Sequence, residues 1–244
     1  MPLLNSFFGK TPEGTIETLE LMEFEEGSLF DELSFLSKHK KRLKEEKILS
    51  IFQQVCSAVE FMHSQSPPIT HRDLKTENVL RHKSDIYKLC DFGSATRKTF
   101  SVSTQDERML AEKEVEKYTT MIYCAPEMLD VYSGHTITCK SDIWSLGCLL
   151  YQMAYLQNPF PEKLAILSGK YDIPTNSTFS KVNKLLSLMF VSNPEERISA
   201  SQLCITLKNL IEGKSAAFKP GKQGDMEKLS QRLIFFCTVS FSDF

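Results

Sequence analysis

The segment Ser141–Tyr155 carries apolar residues on almost every side of a helix: Ile143, Trp144, Leu146, Cys148, Leu149, Leu150, Met153 and Ala154. A helix that is hydrophobic all round has no face to offer water, so it must lie at the centre of a domain. The rest of the chain then has to supply layers around it. One layer is the segment 45–63, where Ile48, Phe52, Val55, Val59 and Met62 recur at spacings of 4, 3, 4 and 3, one face of a 3.6-residue period. Ser28 with Asp31, and Ser199 with Gln202, have the spacing of capping boxes. They predict helices from Ser28 through about Ser37 and over about 199–212, with a further helix over about 180–191. Strands are expected at Thr15–Phe24, around Asn78–Leu80 and at Ile86–Cys90. Residues 1–14 are punctuated by Gly and Pro and read as irregular. Residues 94–118 are polar and charged with few apolar anchors; they read as a mobile loop, helical near Glu107–Lys117. The fold class is α+β and mainly α-helical. No internal repeat is present.

A formal net charge of −2 argues against wholesale binding to nucleic acid or to anionic membrane. The run Lys38–His39–Lys40–Lys41–Arg42 is local and two glutamates follow it, so it reads as a solvated helix end. Seven scattered cysteines without a CxxC pair suggest reduced thiols and a cytoplasmic setting. The first ten residues have no basic-then-apolar leader pattern, and Leu233–Val239 is far too short to span a bilayer as a helix. The histidines His63, His82 and His135 lack metal-ligand spacing, so zinc is not expected.

The chemistry is concentrated in His71-Arg72-Asp73-Leu74-Lys75-Thr76-Glu77-Asn78, followed thirteen residues later by Asp91-Phe92-Gly93. Phosphoryl transfer from ATP needs a base near the acceptor hydroxyl, cations on the triphosphate and rigid placement of both. Asp73 can accept the hydroxyl proton, and Lys75, two residues on, can neutralise the transferring phosphoryl group. Asn78 and Asp91 offer the hard oxygens that Mg²⁺ prefers. A lone His-Arg-Asp would be weak. The full string with Asp-Phe-Gly at this distance and Ala125-Pro126-Glu127 further on is very specific.

These motifs resemble the eukaryotic protein kinases, over residues from about 15 to 212. Lys75 is similar to the Ser/Thr kinases rather than the tyrosine kinases. The resemblance implies a kinase-like C-terminal lobe with only the last strand of the N-terminal lobe and the hinge: an N-terminal segment 1–14, a kinase domain 15–212 and a tail 213–244. It implies that Asp142 holds the catalytic-loop backbone, that Arg197 pairs with Glu127, and that the Thr120 hydroxyl bonds Asp73 and Lys75. Met22 resembles the gatekeeper. Glu23, Phe24 and Glu25 then border adenine, and Leu80 and Asp91 join the nucleotide-binding residues. The expected cofactors are ATP and Mg²⁺. Within the kinases, Cys90-Asp91-Phe92-Gly93-Ser94-Ala95-Thr96, Lys117-Tyr118-Thr119-Thr120 and Tyr132-Ser133-Gly134 look like the Numb-associated kinase family, which includes the adaptor-associated and cyclin-G-associated kinases. That implies a protein Ser/Thr acceptor among endocytic, clathrin-adaptor proteins, and peripheral association with endocytic membranes through partners. Cys124 departs from the family, which usually has Arg there.

Residues 1–14 hold Gly9-Lys10-Thr11 and Gly14 but no Gly-rich phosphate loop, no strand lysine and no following helix. The Gly-Lys-Thr is not a Walker A loop, because no glycine stands five residues before Gly9. Weak or absent activity is therefore expected of this chain alone. Two readings follow: the natural protein is a longer, full kinase, or the chain is a kinase-like binding module. Ser94, Thr96, Ser101, Ser103, Thr104 and Thr119 are candidate phosphosites, with Arg72 as a phosphate partner. Asn158-Pro159-Phe160 has the form of an endocytic ligand motif but reads as a structural turn. The segment Leu233–Phe244 could dock to a partner.

Overall fold

A computed structural model of the chain describes residues 3–12, 14–25, 27–82 and 84–214. Of the tail expected over 213–244, the residues from 215 on, with the apolar stretch, lie outside them. The described residues fall into two compact units, one holding those up to residue 25 and the other those from 27 to 214.

The first unit corrects the expectation of an irregular start. Strand β1 (Leu3–Lys10) pairs antiparallel with β2 (Ile16–Met22), in a register running from Leu3↔Met22 to Lys10↔Ile16. The turn is closed by Gly14 N–H donating to Thr11 O at 2.9 Å, with Gly14 at φ 86°, a conformation glycine takes without strain. Read alone, Gly9, Pro12 and Gly14 suggested a loop; in the structure Pro12 and Gly14 punctuate a hairpin instead. The hairpin leaves Leu4, Phe7, Phe8, Ile16, Leu19 and Leu21 more than half exposed.

The second unit holds the core. Strand β3 (Gly27–Ser28) leads into α1 (Leu29–Lys38), whose N-cap is Ser28. The Asp31 carboxylate accepts from Ser28 N–H at 2.8 Å, and Ser28 Oγ accepts from Asp31 N–H at 3.2 Å, completing the expected capping box. Helix α2 spans Glu45–His63, as its periodicity predicts, and buries Ile48, Phe52, Val55, Val59 and Met62. Strands β4 (Val79–Arg81) and β5 (Tyr87–Leu89) follow, giving an antiparallel sheet in the order β3-β4-β5. Helix α3 (Gln105–Tyr118) covers the helical stretch expected near Glu107–Lys117 and extends it by a few residues within a segment otherwise read as a mobile loop. Its stability is local: Thr104 caps it in a second capping box with Glu107, while only Ala111 is buried. The limits of the helix were not legible because one buried residue is too little to set an apolar period.

Helix α4 (Pro126–Leu129) precedes α5 (Lys140–Tyr155), and all of α5 except Lys140 and Gln152 is buried. A short α6 (Lys163–Ser168), not foreseen, then leads to α7 (Ser180–Met189) and α8 (Ala200–Ile211). Helix α2 packs on α8 and α5, and α5 on α7, so the apolar helix is enclosed as its sequence demands. Phe160 is fully buried and stacks on Trp144 with ring centroids 5.1 Å apart, which makes Asn158-Pro159-Phe160 part of the core turn after α5.

One ion pair ties three of these segments. Arg197 donates from both terminal nitrogens to the two Glu127 oxygens at 2.8 Å, with both side chains fully buried. It also donates to Lys140 O and Val191 O. Removing one partner strands the other charge in the core. Glu127→Ala is therefore expected to cost about 3–5 kcal/mol, measurable as a lowered free energy of unfolding in urea.

Candidate active site

The loop His71–Asn78 is held from beneath by Asp142, in the first turn of α5. Asp142 Oδ2 accepts from His71 N–H at 2.8 Å and Oδ1 from Arg72 N–H at 2.9 Å. The His63 imidazole, at the end of α2, lies 2.9 Å from Oδ2. Burial pushes the Asp142 carboxyl up, but the His63 hydrogen bond and the neighbouring His71 outweigh it and hold the group below its ordinary value. His63 was not among the functional candidates; only the fold brings it to Asp142.

His71 is fully buried, and burial lowers its pKa, against the opposing pull of Asp142, Cys90 O, Asp73 and Asp91. Its Nε2 lies 3.1 Å from Cys90 O, and its Nδ1 3.4 Å from Asp73 N. Both contacts are met by a neutral ring with hydrogen on Nε2, donating to the carbonyl and accepting from the amide. His71 thereby links the two loops that carry Asp73 and Asp91.

Asp73 stands at the centre of the expected group. Its Oδ1 accepts from Thr120 Oγ1 at 2.7 Å and its Oδ2 from Lys75 Nζ at 2.6 Å. Lys75 Nζ also donates to Thr120 Oγ1 at 3.2 Å. The structure thus brings together Asp73, Lys75 and Thr120. Asn78 joins them: its amide nitrogen donates to Asp73 O at 2.9 Å and to Oδ2 at 3.3 Å. With that nitrogen committed, the Asn78 side-chain oxygen accepts no hydrogen bond among the described residues.

Asp91 is anchored next to Asn78, because Cys90 N–H donates to Asn78 O at 3.0 Å. Its backbone is left-handed, at φ 60°, and its side chain is exposed, one oxygen receiving Gly93 N–H at 3.3 Å. An amide oxygen and a carboxylate, both hard donors on adjacent backbone, suit a divalent cation of the Mg²⁺ type. Phe92 turns inward against His71, with ring centroids 5.3 Å apart. Of the remaining candidates, Leu80 lies in β4, paired with Ser28 and Lys88. Met22 closes β2, and Glu23, Phe24 and Glu25 follow it in the first unit, with Phe24 85% exposed.

Arg72 has a partner the sequence did not suggest. Its guanidinium donates to Ser94 O at 2.5 Å and to Glu114 of α3 at 2.6 Å, and lies 4.5 Å from the Tyr118 ring centre. The role expected for a phosphate is filled here by a carboxylate. The hydroxyls of Ser101, Thr104 and Thr119 are used within the α3 caps: Ser101 donates to Glu107, Thr104 caps the helix and Thr119 donates to Val115 O. The Thr104–Glu107 spacing was the signal that could have located the start of this helix. Cys124, the departure from the family pattern, is buried beside Thr119, and burial pushes its thiol up to about 11.

Residues 11–206 match the family described as the protein kinase domain. The chain belongs to that family. Among curated relatives of this kinase domain, a probable serine/threonine-protein kinase of Dictyostelium discoideum is 46% identical over 203 residues, covering 82% of this chain and 25% of the relative. The serine/threonine-protein kinase sel-5 of Caenorhabditis elegans is 40% identical over 191 residues, covering 77% of this chain and 18% of the relative. The kinase domain thus spans a quarter or less of the length of these two relatives. The family is that of the protein kinase domain, and both of these relatives are named serine/threonine-protein kinases. No helix among the described residues is long and apolar enough to cross a membrane.

Two outcomes are expected. Glu114→Ala should cost about 1–3 kcal/mol of local stability, seen as faster amide hydrogen exchange across α3, while Glu112→Ala should leave exchange unchanged. For pH, the lowered pKa of His71 means that the unfolded chain takes up a proton below about 6.5 while the folded chain resists it. Stability is therefore present above that value and lost as pH falls through it toward the folded pKa. A thermal midpoint that declines from pH 7 to pH 5, with a smaller decline in His71→Phe, checks this.

Proposed function

We propose that this kinase domain transfers the γ-phosphoryl group of ATP to Ser or Thr hydroxyls of protein substrates. The observation that carries the reading is the closed set of contacts among Asp73, Lys75 and Thr120, with Asn78 tied to the same carboxylate. In this reading the domain runs over 15–212. An acceptor hydroxyl binds at Asp73, which orients it and takes its proton as the oxygen attacks phosphorus and ADP departs. Lys75 leaves Asp73 for the transferring oxygens, and Thr120 keeps the carboxylate aimed. Asn78 and Asp91 would hold Mg²⁺, which neutralises charge on the triphosphate when bound. Met22, Glu23, Phe24, Glu25 and Leu80 would border the nucleotide.

At finer grain, the strings around Asp91, Thr120 and Tyr132 favour the Numb-associated kinases. Endocytic adaptors, including clathrin-adaptor subunits, are then the substrates proposed, phosphorylated in the cytoplasm at endocytic membranes reached through partners. A second reading, a kinase-like binding module without turnover, is favoured by the apolar side chains that β1 and β2 leave exposed. The two separate by experiment. Under transfer, Asp73→Asn lowers phosphorylation of a mixed Ser/Thr peptide library by about 10²–10⁴-fold and leaves the MgATP thermal shift in place. Asp91→Asn removes that shift. A shift that persists in Asp91→Asn, or turnover that persists in Asp73→Asn, overturns the assignment. A wild-type chain that neither shifts nor turns over supports the module.

A further inference from the structure

Helix α5 buries three short polar side chains, those of Ser141, Asp142 and Ser145. Two of them are accounted for. Ser141 Oγ donates to Thr138 O at 2.9 Å, next to its own first turn, and Asp142 holds the catalytic loop. Ser145 serves neither. Its Oγ donates to Tyr123 O at 2.8 Å, a residue 22 positions away in the chain. The ordinary partner of a helical serine is the carbonyl four residues back. Here that is Ser141 O, which lies farther off at 3.3 Å. The hydroxyl has one hydrogen to give, and the shorter contact takes it. Alanine would suit the interior of a helix better, so α5 itself has no need of a hydroxyl at this position.

Tyr123 does need it. The residue is buried, and among the described residues no backbone amide donates to its carbonyl. A buried carbonyl without a donor is costly. The same helix also holds the far end of the residue, because Tyr123 OH donates to Gln152 Oε1 at 2.8 Å. Ser145 and Gln152 are two turns apart on one face of α5. Tyr123 is thus fastened to α5 at its backbone and at the tip of its ring.

This position is passed on to the site. Tyr123 closes the 3-10 turn Met121–Tyr123, and its N–H donates back to Thr120 O at 2.9 Å. Thr120 Oγ1 donates to Asp73 Oδ1 at 2.7 Å. Asp73 belongs to the loop that Asp142 holds, and Asp142 stands three residues before Ser145, close to one turn along the same face. One enclosed helix therefore carries both anchors: Asp142 for the loop that bears Asp73, and Ser145 for the turn that follows Thr120.

We propose that Ser145 is a positioning residue for phosphoryl transfer: its hydroxyl fixes the turn 121–123 against α5, so that Thr120 reaches the Asp73 carboxylate. This role rests on the reading of the chain as a protein kinase. Without the hydroxyl the Tyr123 carbonyl has to seek another donor, the turn shifts, and Thr120 no longer keeps Asp73 aimed at the acceptor.

The test uses the full chain, the variants Ser145→Ala and Thr120→Ala, their double variant, and Ser141→Ala as a matched control that deletes a buried serine hydroxyl of the same helix. Rates are measured on the peptide of a mixed Ser/Thr library that is phosphorylated fastest, after circular dichroism has shown each variant to be folded. Ser145→Ala should lower kcat about tenfold, the factor one ordinary hydrogen bond is worth, and leave KM for MgATP within about twofold of its wild-type value. Ser141→Ala should keep kcat within about twofold. In the Thr120→Ala background, Ser145→Ala should have no further effect, because it acts through that side chain. Equal kcat in Ser145→Ala and Ser141→Ala overturns the proposal. So does a loss that multiplies with that of Thr120→Ala, or a raised KM for MgATP in place of the lowered kcat. A wild-type chain that phosphorylates nothing overturns the transfer reading instead, and the anchor is then read from amide hydrogen exchange. Faster exchange across residues 120–124 in Ser145→Ala, and not in Ser141→Ala, supports the hold of the hydroxyl on the turn; equal exchange in the two variants overturns it.

Discussion

A single buried carboxylate, Asp142, organises the catalytic half of the molecule. Putting such a group in a protein interior is costly unless every lone pair finds a donor. Here two consecutive backbone amides, of His71 and Arg72, and the His63 ring supply them. The exchange works in both directions. The amides belong to a loop with an unusual backbone, Arg72 standing at φ 70°, and they would lack partners without the carboxylate. Because Asp142 sits in the first turn of the enclosed helix α5, the loop inherits the rigidity of the core.

From there order passes outward. His71, kept neutral by burial, bridges the Asp73 amide and the Cys90 carbonyl, and so sets the spacing between two loops remote in sequence. Asp73 is then fixed from three sides by Lys75, Asn78 and Thr120. Thr120 comes from the segment that Glu127 and Arg197 fasten to the α5 side of the core. Two buried electrostatic clusters, one under each loop, thus position groups that act on the surface between them.

Much of this was legible in the residues. The apolar girdle of α5, the period of α2 and the boxes at Ser28 and Ser199 follow from local rules, and the structure places these helices where those rules put them. Asp73, Lys75, Asn78 and Thr120 could be named because a family pattern reports on three-dimensional proximity that no local rule contains. What escaped had a physical reason. Strand β1 carries Asn5 and Gly9, residues depleted in strands, and is flanked by Pro12 and Gly14; its pairing with β2 decides the matter. Helix α3 was expected near Glu107–Lys117, but its full extent escaped, because its caps and Glu114 hold it rather than burial and hydrophobic periodicity had little to detect. The His63 contact and the Ser145 bond to the Tyr123 carbonyl join segments distant along the chain, a kind of information that composition does not carry.

The pairing of Arg72 with Glu114 has a wider consequence. A carboxylate tethered to the same chain acts at a high effective concentration that no enzyme adds or removes. Occupancy of the arginine is then governed by how well α3 stays wound, a property of a few capping bonds around Thr104 and Glu107. Whatever unwinds one turn of that helix frees the cation, and whatever tightens the turn locks it, so a conformational equilibrium within fourteen residues stands in for a chemical mark.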